Sequence, residues 1–181
     1  MAVRIEELTE ANLPEAPRWG GGSRGCGWCL YWQEPNPGEV TEGEALARKR
    51  AWLQRVRREW GGCGKILYQD GEPIGYAQYA PARFLPTAAT YPAGPVSEDA
   101  VLLACLFIAA PDRRRRGLGS RLLSEVTEEL QRRGIAAVET FARRGSPDNP
   151  SGPIELYLAH GFRVIRDDPE FPLLRLELLS R

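Results

Sequence analysis

Residues 101–110, VLLACLFIAA, form an unbroken apolar run that stops at Pro111. A run of that length bounded by a breaker reads as a strand buried on both faces, so the sheet that holds it is covered on each side. The turn Asp112-Arg113-Arg114-Arg115-Arg116-Gly117-Leu118-Gly119 follows. From there Leu118, Leu122, Leu123, Val126 and Leu130 recur at helical spacing, with Glu125, Glu128 and Glu129 on the other side, and Gly134 stops the helix. The chain therefore runs strand, basic turn, helix. The first turn of a helix has unpaired N–H groups and a partial positive charge, which attract a phosphate. Gly117 and Gly119 lack a Cβ and let an anion approach the backbone. The four arginines add positive potential at the same place. Two common phosphate sites are excluded on residues. No Gly-Lys-Ser/Thr completes a P-loop, and Leu122 stands where a dinucleotide fingerprint needs its third glycine.

At 181 residues the chain is expected to form one domain, 1–181, with a substantial core. Lys+Arg and Asp+Glu both number 24, so no global charge draws it to nucleic acid or a membrane surface. No apolar run approaches the roughly 18–20 residues that span a bilayer. The segment MAVRIEELTE lacks a signal-peptide core, and a cytoplasmic location is expected. The four cysteines then read as reduced thiols.

The remaining elements follow from periodicity and punctuation. Residues 3–8 alternate as a strand, and residues 11–43 are irregular. Residues 43–60 read as a helix with Leu46, Leu53, Val56 and Trp60 on one face and Arg48, Lys49, Arg55 and Arg58 on a solvated one. Residues 65–69 and 74–79 are strands joined at Asp70-Gly71, a hairpin signal. A proline-punctuated connection up to about Glu98 is long enough for a lid or pocket wall. Then come the central strand and helix, a strand at 135–141, a loop to Pro153, a short helix at 154–160, and strands at 162–166 and 173–179. This order predicts an α/β protein with a mixed sheet.

Arg114-Arg115-Arg116-Gly117-Leu118-Gly119 also fits the R/Q-x-x-G-x-G/A signature of the GNAT (GCN5-related N-acetyltransferase) family. The buried strand before it, the strand after its helix, and Glu155-Leu156-Tyr157-Leu158-Ala159-His160-Gly161-Phe162 extend the resemblance over about residues 65–179. The last of these looks like the family's short helix ending in Tyr-x-x-x-Gly-Phe. The resemblance implies the GNAT acyl-CoA N-acyltransferase fold, a central six- to seven-stranded mixed sheet flanked by helices. It implies acetyl-CoA as cosubstrate and direct acetyl transfer, in a ternary complex, to a primary amine on a small molecule or peptide. It further implies that a bulge in the central strand offers backbone groups to the pantetheine arm. Counting back from Pro111 puts these at Phe107, Ile108 and Ala109. Arg114, Arg115, Arg116, Gly117, Leu118, Gly119 and Ser120 would hold the pyrophosphate.

Acyl transfer needs a neutral amine, a polarised carbonyl and a protonated leaving thiolate. Tyr157, four residues before Gly161, takes the family's general-acid position; as a residue alone it reads equally as core. For the base, Leu103 stands where some members carry Glu, which leaves Glu139 on the fifth strand, on the face of Phe141. Glu98 and Asp99 are weaker choices, and Asn149 is the nearest counterpart of the Asn that often follows that strand. Cys26-x-x-Cys29 reads as packing thiols, with a metal, disulfide or substrate role as alternatives; no metal site is expected. His160, the sole histidine, suits a structural role. Two rival functions stay open: a non-catalytic acyl-CoA sensor on the same fold, and a nucleic-acid surface on the basic helix. Homodimerisation and the identity of the acceptor are open as well.

Overall fold

The computed structural model describes residues 2–19 and 25–179. Seven strands make one sheet in the order β1-β2-β3-β4-β5-β7-β6. They are β1 (Val3–Glu7), β2 (Gly64–Gln69), β3 (Glu72–Ala80), β4 (Ala100–Ile108), β5 (Ala137–Phe141), β6 (Arg163–Arg166) and β7 (Leu173–Glu177). Three helices accompany them: α1 (Glu42–Glu59), α2 (Leu118–Arg132) and α3 (Ile154–Ala159). Every pairing is antiparallel except β4 with β5. The mixed sheet expected from the order of elements is thus present. No helix among the described residues is long and apolar enough to cross a membrane.

Local chemistry explains the elements. Thr41 caps α1 by accepting from the Glu44 amide while the Glu44 carboxylate accepts from the Thr41 amide, a reciprocal capping box. Asp70 and Gly71 both take positive φ (51° and 88°), the turn that joins β2 and β3 without splaying them. Strand alternation then divides the core. Leu53 and Val56 of α1 pack with Ile66, Tyr68, Tyr76 and Phe141 on one face. Leu122, Leu123, Val126 and Leu130 of α2 pack with Leu67, Ala77, Tyr79 and Val138 on the other.

Lys49 departs from its expected place on a solvated face. It lies in the buried stripe with Ala45, Trp52, Leu53 and Val56, where its Nζ donates to the Cys29 carbonyl (3.0 Å) and Gln78 Oε1 (2.5 Å). Burial holds its pKa below the usual lysine value. Two acceptors recruit this cation, and neither lies on its own helix. The connection after β3 also proves to be a wall. Its two short 3-10 turns, Ala82–Phe84 and Pro86–Thr90, bury Phe84, Thr87 and Ala88, and Trp52 donates from Nε1 to the Phe84 carbonyl at 2.7 Å.

The feature that positions the site is in β4. Gln78 pairs with Cys105 but Tyr79 pairs with Leu103, so Ala104 is an extra residue. Ala104 and Cys105 in succession belong to the α1-side core, the mark of a bulge. The sequence count put this bulge at residues 107–109. An all-apolar strand carries no alternation to reveal its phase, so counting from Pro111 missed it. Immediately past this point β4 and β5 part company. Their parallel pairing covers only Ala100–Leu102 against Ala137–Glu139. One further tie, from the Thr140 hydroxyl to the Leu103 carbonyl (2.9 Å), closes the contact. Beyond it the strands diverge and leave an opening.

Candidate active site

A cavity of about 1010 Å³ lies between the open end of β4 and the start of α2. Its wall is apolar, formed by Trp19, Leu106, Phe107, Ile108, Pro111 and Leu156; Arg114, Arg115, Gly117, Gly119 and Ser120 form its polar end. The segment before α3 closes the far side, with Gly145, Ser146, Pro147, Asp148, Asn149, Gly152 and Pro153.

The polar end is a helix start behind a glycine turn. Gly117 is the N-cap of α2, with φ of 78°, and its carbonyl accepts from the Arg121 amide (2.9 Å). The amides of the first helical turn have no partner within the helix and open toward the cavity. A Cβ at Gly117 would meet nothing within 4 Å, and one at Gly119 only Leu156 Cδ2 at 3.7 Å. The cradle is therefore empty space beside unpaired donors, which fits a phosphate group.

Seven of the ten expected cofactor residues line the cavity; Ala109, Arg116 and Leu118 do not. Leu118 is buried in the α2-side core, so only its backbone faces the cradle. Arg116 is exposed. Ala109 donates its amide to the Ile74 carbonyl (2.7 Å). That bond also sets the phase of the strand. Ala109 and Phe107 spend their backbone groups on β3, while Ile108 and Leu106 turn theirs to the opening. Of the residues here, Leu106 and Ile108 rather than Phe107 and Ala109 have backbone groups directed away from β3, and Phe107 also lines the cavity. Arg114 is bound locally as well. Its Nε donates to the Ile108 carbonyl (3.0 Å), its guanidinium pairs with Asp148, and it lies 4.9 Å from the centre of the Trp19 ring. Arg115, exposed and with φ of 59°, is the arginine of this turn left facing the cavity.

Tyr157 is fully buried behind Gly152, where the strands separate. Its hydroxyl donates to the Ser151 carbonyl at 2.6 Å. Burial pushes the phenol well above its usual pKa and keeps it protonated. A Cβ at Gly152 would sit 2.9 Å from the Tyr157 oxygen and 3.0 Å from the Leu106 carbonyl. Gly152 also has φ of 81°, so this position admits glycine alone on two counts. The adjacent Pro150 carbonyl accepts from the Leu106 amide (2.9 Å). One short segment therefore holds both the β4 backbone donor and the phenol.

Glu139 does not stand as a free base. It is completely buried, and both carboxylate oxygens are engaged. One accepts from Arg175 Nη1 and the other from the Ser97 amide, each at 2.9 Å. Arg175 also binds Asp99 (2.8 Å) and Glu177 (2.7 Å). The alternation argument found the right face, but the counter-ion arrives from β7, 36 residues away. Replacing Glu139 by Gln is expected to destabilise the fold by about 3 kcal/mol, because the arginine loses a buried partner. Urea unfolding measures it; unchanged stability with lost turnover would return Glu139 to catalysis. Glu98 and Asp99 are exposed, and Leu103 is a core residue.

Cys26 is buried and Cys29 exposed, at a 3-10 turn (Cys26–Trp28) packed on α1; all four cysteines are free thiols. Burial pushes the Cys26, Cys63 and Cys105 thiols up, the last two to about 12, so they are inert rather than nucleophilic. Among the described residues no group of three or more His, Cys, Asp or Glu side chains is placed to hold a metal. His160 donates from Nδ1 to the Leu156 carbonyl (2.8 Å).

A second cavity, about 430 Å³, adjoins the first. Tyr31, Trp32, Thr90, Tyr91, Pro92, Asn149, Pro150, Ser151 and Phe171 line it, and Asn149 borders both. Sequence reasoning named Asn149; Tyr91 and Phe171, which come from distant segments, were not singled out. Trp19 and the 145–153 loop were missed for the same reason.

The fold recurs in proteins of known structure. PaiA N-acetyltransferase from Thermoplasma acidophilum, solved in complex with coenzyme A, is 15% identical over 98% of this chain and 99% of its own, with a TM-score of 0.59. YncA from Salmonella typhimurium, solved with its cofactor acetyl-CoA, is 16% identical over 100% and 96%, TM-score 0.63. The ribosomal-protein-S18-alanine N-acetyltransferase of Escherichia coli is 17% identical over 99% and 96%, TM-score 0.56. A comparison with curated protein sequences finds no match. Identity at this level speaks for the fold alone. The sequence itself, however, matches the model of the Acetyltransferase (GNAT) family over residues 27–162, the stretch that contains the bulged strand, the glycine cradle and Tyr157, and on that match the chain belongs to the GNAT family.

Proposed function

We propose that this protein transfers the acetyl group of acetyl-CoA to a primary amine by direct attack in a ternary complex. The observation that carries the reading is the cavity in which unpaired α2 amides and the outward-facing backbone of β4 meet across an apolar wall. The coenzyme A and acetyl-CoA held by two similar structures support the same ligand here.

Acetyl-CoA supplies an activated thioester. The chain's own part is positioning and proton transfer. The backbone of residues 117–120 holds the pyrophosphate at the helix terminus, with Arg115 beside it. Leu106 and Ile108 offer N–H and C=O groups to the pantetheine arm as a missing strand would. For this the segment 150–152 leaves β4, and its departure frees the Leu106 amide and the Tyr157 hydroxyl together. Tyr157, kept protonated by burial, then returns a proton to the leaving sulfur. No carboxylate is assigned as base, since Glu139 is held by Arg175.

That last point favours one rival, an acyl-CoA sensor without turnover. Calorimetric titration of acetyl-CoA, followed by assay of coenzyme A release with a panel of amines, decides between them. Binding with amine-dependent release is expected. Binding without release from any amine would favour the sensor, and no binding by folded protein would overturn both.

A further inference from the structure

The cavity beside the cofactor cleft is walled by interlocked rings. Tyr91 is at its centre, stacked on Trp32 (5.2 Å between ring centres, 17° between planes) and on Phe141 (4.4 Å, 26°), with Phe171 edge-on at 5.5 Å. The hydroxyls of Tyr31 and Tyr91 are 2.9 Å apart, and Tyr31 is half exposed at the rim. Rings packed in this way hold one another in place and give the cavity a preorganised aromatic wall, which favours an apolar ring over a flexible polar chain.

Charge narrows the ligand further. Among the described residues lining this cavity none is acidic or basic. Glu170, next to Phe171, is ion-paired with Arg143 at 2.6 Å. A polyamine or aminoglycoside entering here would bury several ammonium groups without counter-ions, which is costly. A single ammonium is different, because ring faces attract one cation. The volume, about 430 Å³, suits one ring with a short chain. Position completes the case. Asn149 borders both cavities, and the residues after it bond to the Leu106 amide and the Tyr157 hydroxyl. An amine at the inner end of this cavity faces the reacting end of the cleft.

We propose that this cavity is the acceptor site and that the acceptor is a small primary amine bearing an aromatic ring, a proposal that rests on the acetyl-transfer reading above. In the reaction the amine nitrogen bonds to the acyl carbon and the C–S bond breaks. The nitrogen gives up one proton and the sulfur gains one.

The test is calorimetric titration of phenethylamine, tryptamine, spermidine and kanamycin into the full chain, with and without coenzyme A. An aromatic amine is expected to bind at least about tenfold more tightly than spermidine or kanamycin. Tyr91→Ala is expected to weaken that binding about tenfold or more. Tyr31→Ala, at a half-exposed rim position, is expected to weaken it measurably and guards against a Tyr91 variant that fails to fold. Equal or tighter binding of spermidine or kanamycin, no aromatic-amine binding, or indifference to a folded Tyr91 variant and to Tyr31→Ala would overturn the proposal. Because the readout is binding, the two readings fail separately. An aromatic amine held but never acetylated sustains the site and sinks the transfer. Acetylation of spermidine in preference to aromatic amines sinks the site alone.

Discussion

Replacing Gly117 and Gly119 together by glutamate is expected to weaken acetyl-CoA binding by about 100-fold or more, a loss of roughly 2.7 kcal/mol, while the protein stays folded. Both glycines face open space: nothing lies within 4 Å of a Cβ at Gly117, and only Leu156 Cδ2 lies near one at Gly119. Steric disruption of the core is therefore excluded as a cause. Two carboxylates at the start of α2 replace the field that attracts a phosphate with one that repels it, and their side chains fill the cradle. Gly117 has φ of 78°, so a side chain there adds strain of order 1–2 kcal/mol to folding. Gly119→Glu alone, at an ordinary helical position, separates that strain from the effect on binding and is expected to show most of the loss. Gly119→Ala, with its Cβ in open space, is expected to bind nearly as well as the wild type. Calorimetry on the three variants reads all of this. Affinity unchanged in the folded double variant would mean that the pyrophosphate lies elsewhere and that this turn is a solvated basic loop.

Tyr157→Phe is expected to lower kcat by about 100-fold to 1000-fold, within the usual range for loss of a positioned acid, with little change in acetyl-CoA affinity. The ring stays in place against Phe162, 5.3 Å away, so packing is kept. What is lost is the hydroxyl that now donates to the Ser151 carbonyl. That bond is worth about 1 kcal/mol of stability, which thermal unfolding measures separately from turnover. A fall in kcat that vanishes with a thioester bearing a more acidic thiol would tie the effect to protonation of the leaving group. Turnover unchanged in the variant would make Tyr157 a core residue and leave sulfur protonation to water.

Different physics made some of these features readable and hid others. The apolar run at 101–110, the helical spacing from Leu118 to Leu130, the glycines of the cradle and the Asp70-Gly71 hairpin are local. Each expresses a backbone preference or a periodicity that neighbours in the chain decide among themselves. From them the strand–turn–helix unit and the mixed sheet follow. A buried strand with no polar residues carries no phase, so the bulge at Ala104, and with it which backbone groups of β4 face away from β3, depends on pairing with β3.

Long-range partners decided the rest. Lys49 is buried because Gln78 and Cys29 supply its acceptors, and Glu139 is neutralised because β7 brings Arg175 beside it. Tyr31, Trp32, Tyr91 and Phe171 lie up to 140 residues apart in the chain but close on one cavity. In sequence they are scattered aromatic residues with no spacing in common. The chain by itself determined which elements form and where a helix start opens beside two glycines, because those rest on propensity and on backbone groups that every helix terminus exposes. Tertiary structure alone decided which charges are paired and which aromatic residues close on one cavity, because both depend on what the folded sheet brings within a few ångströms.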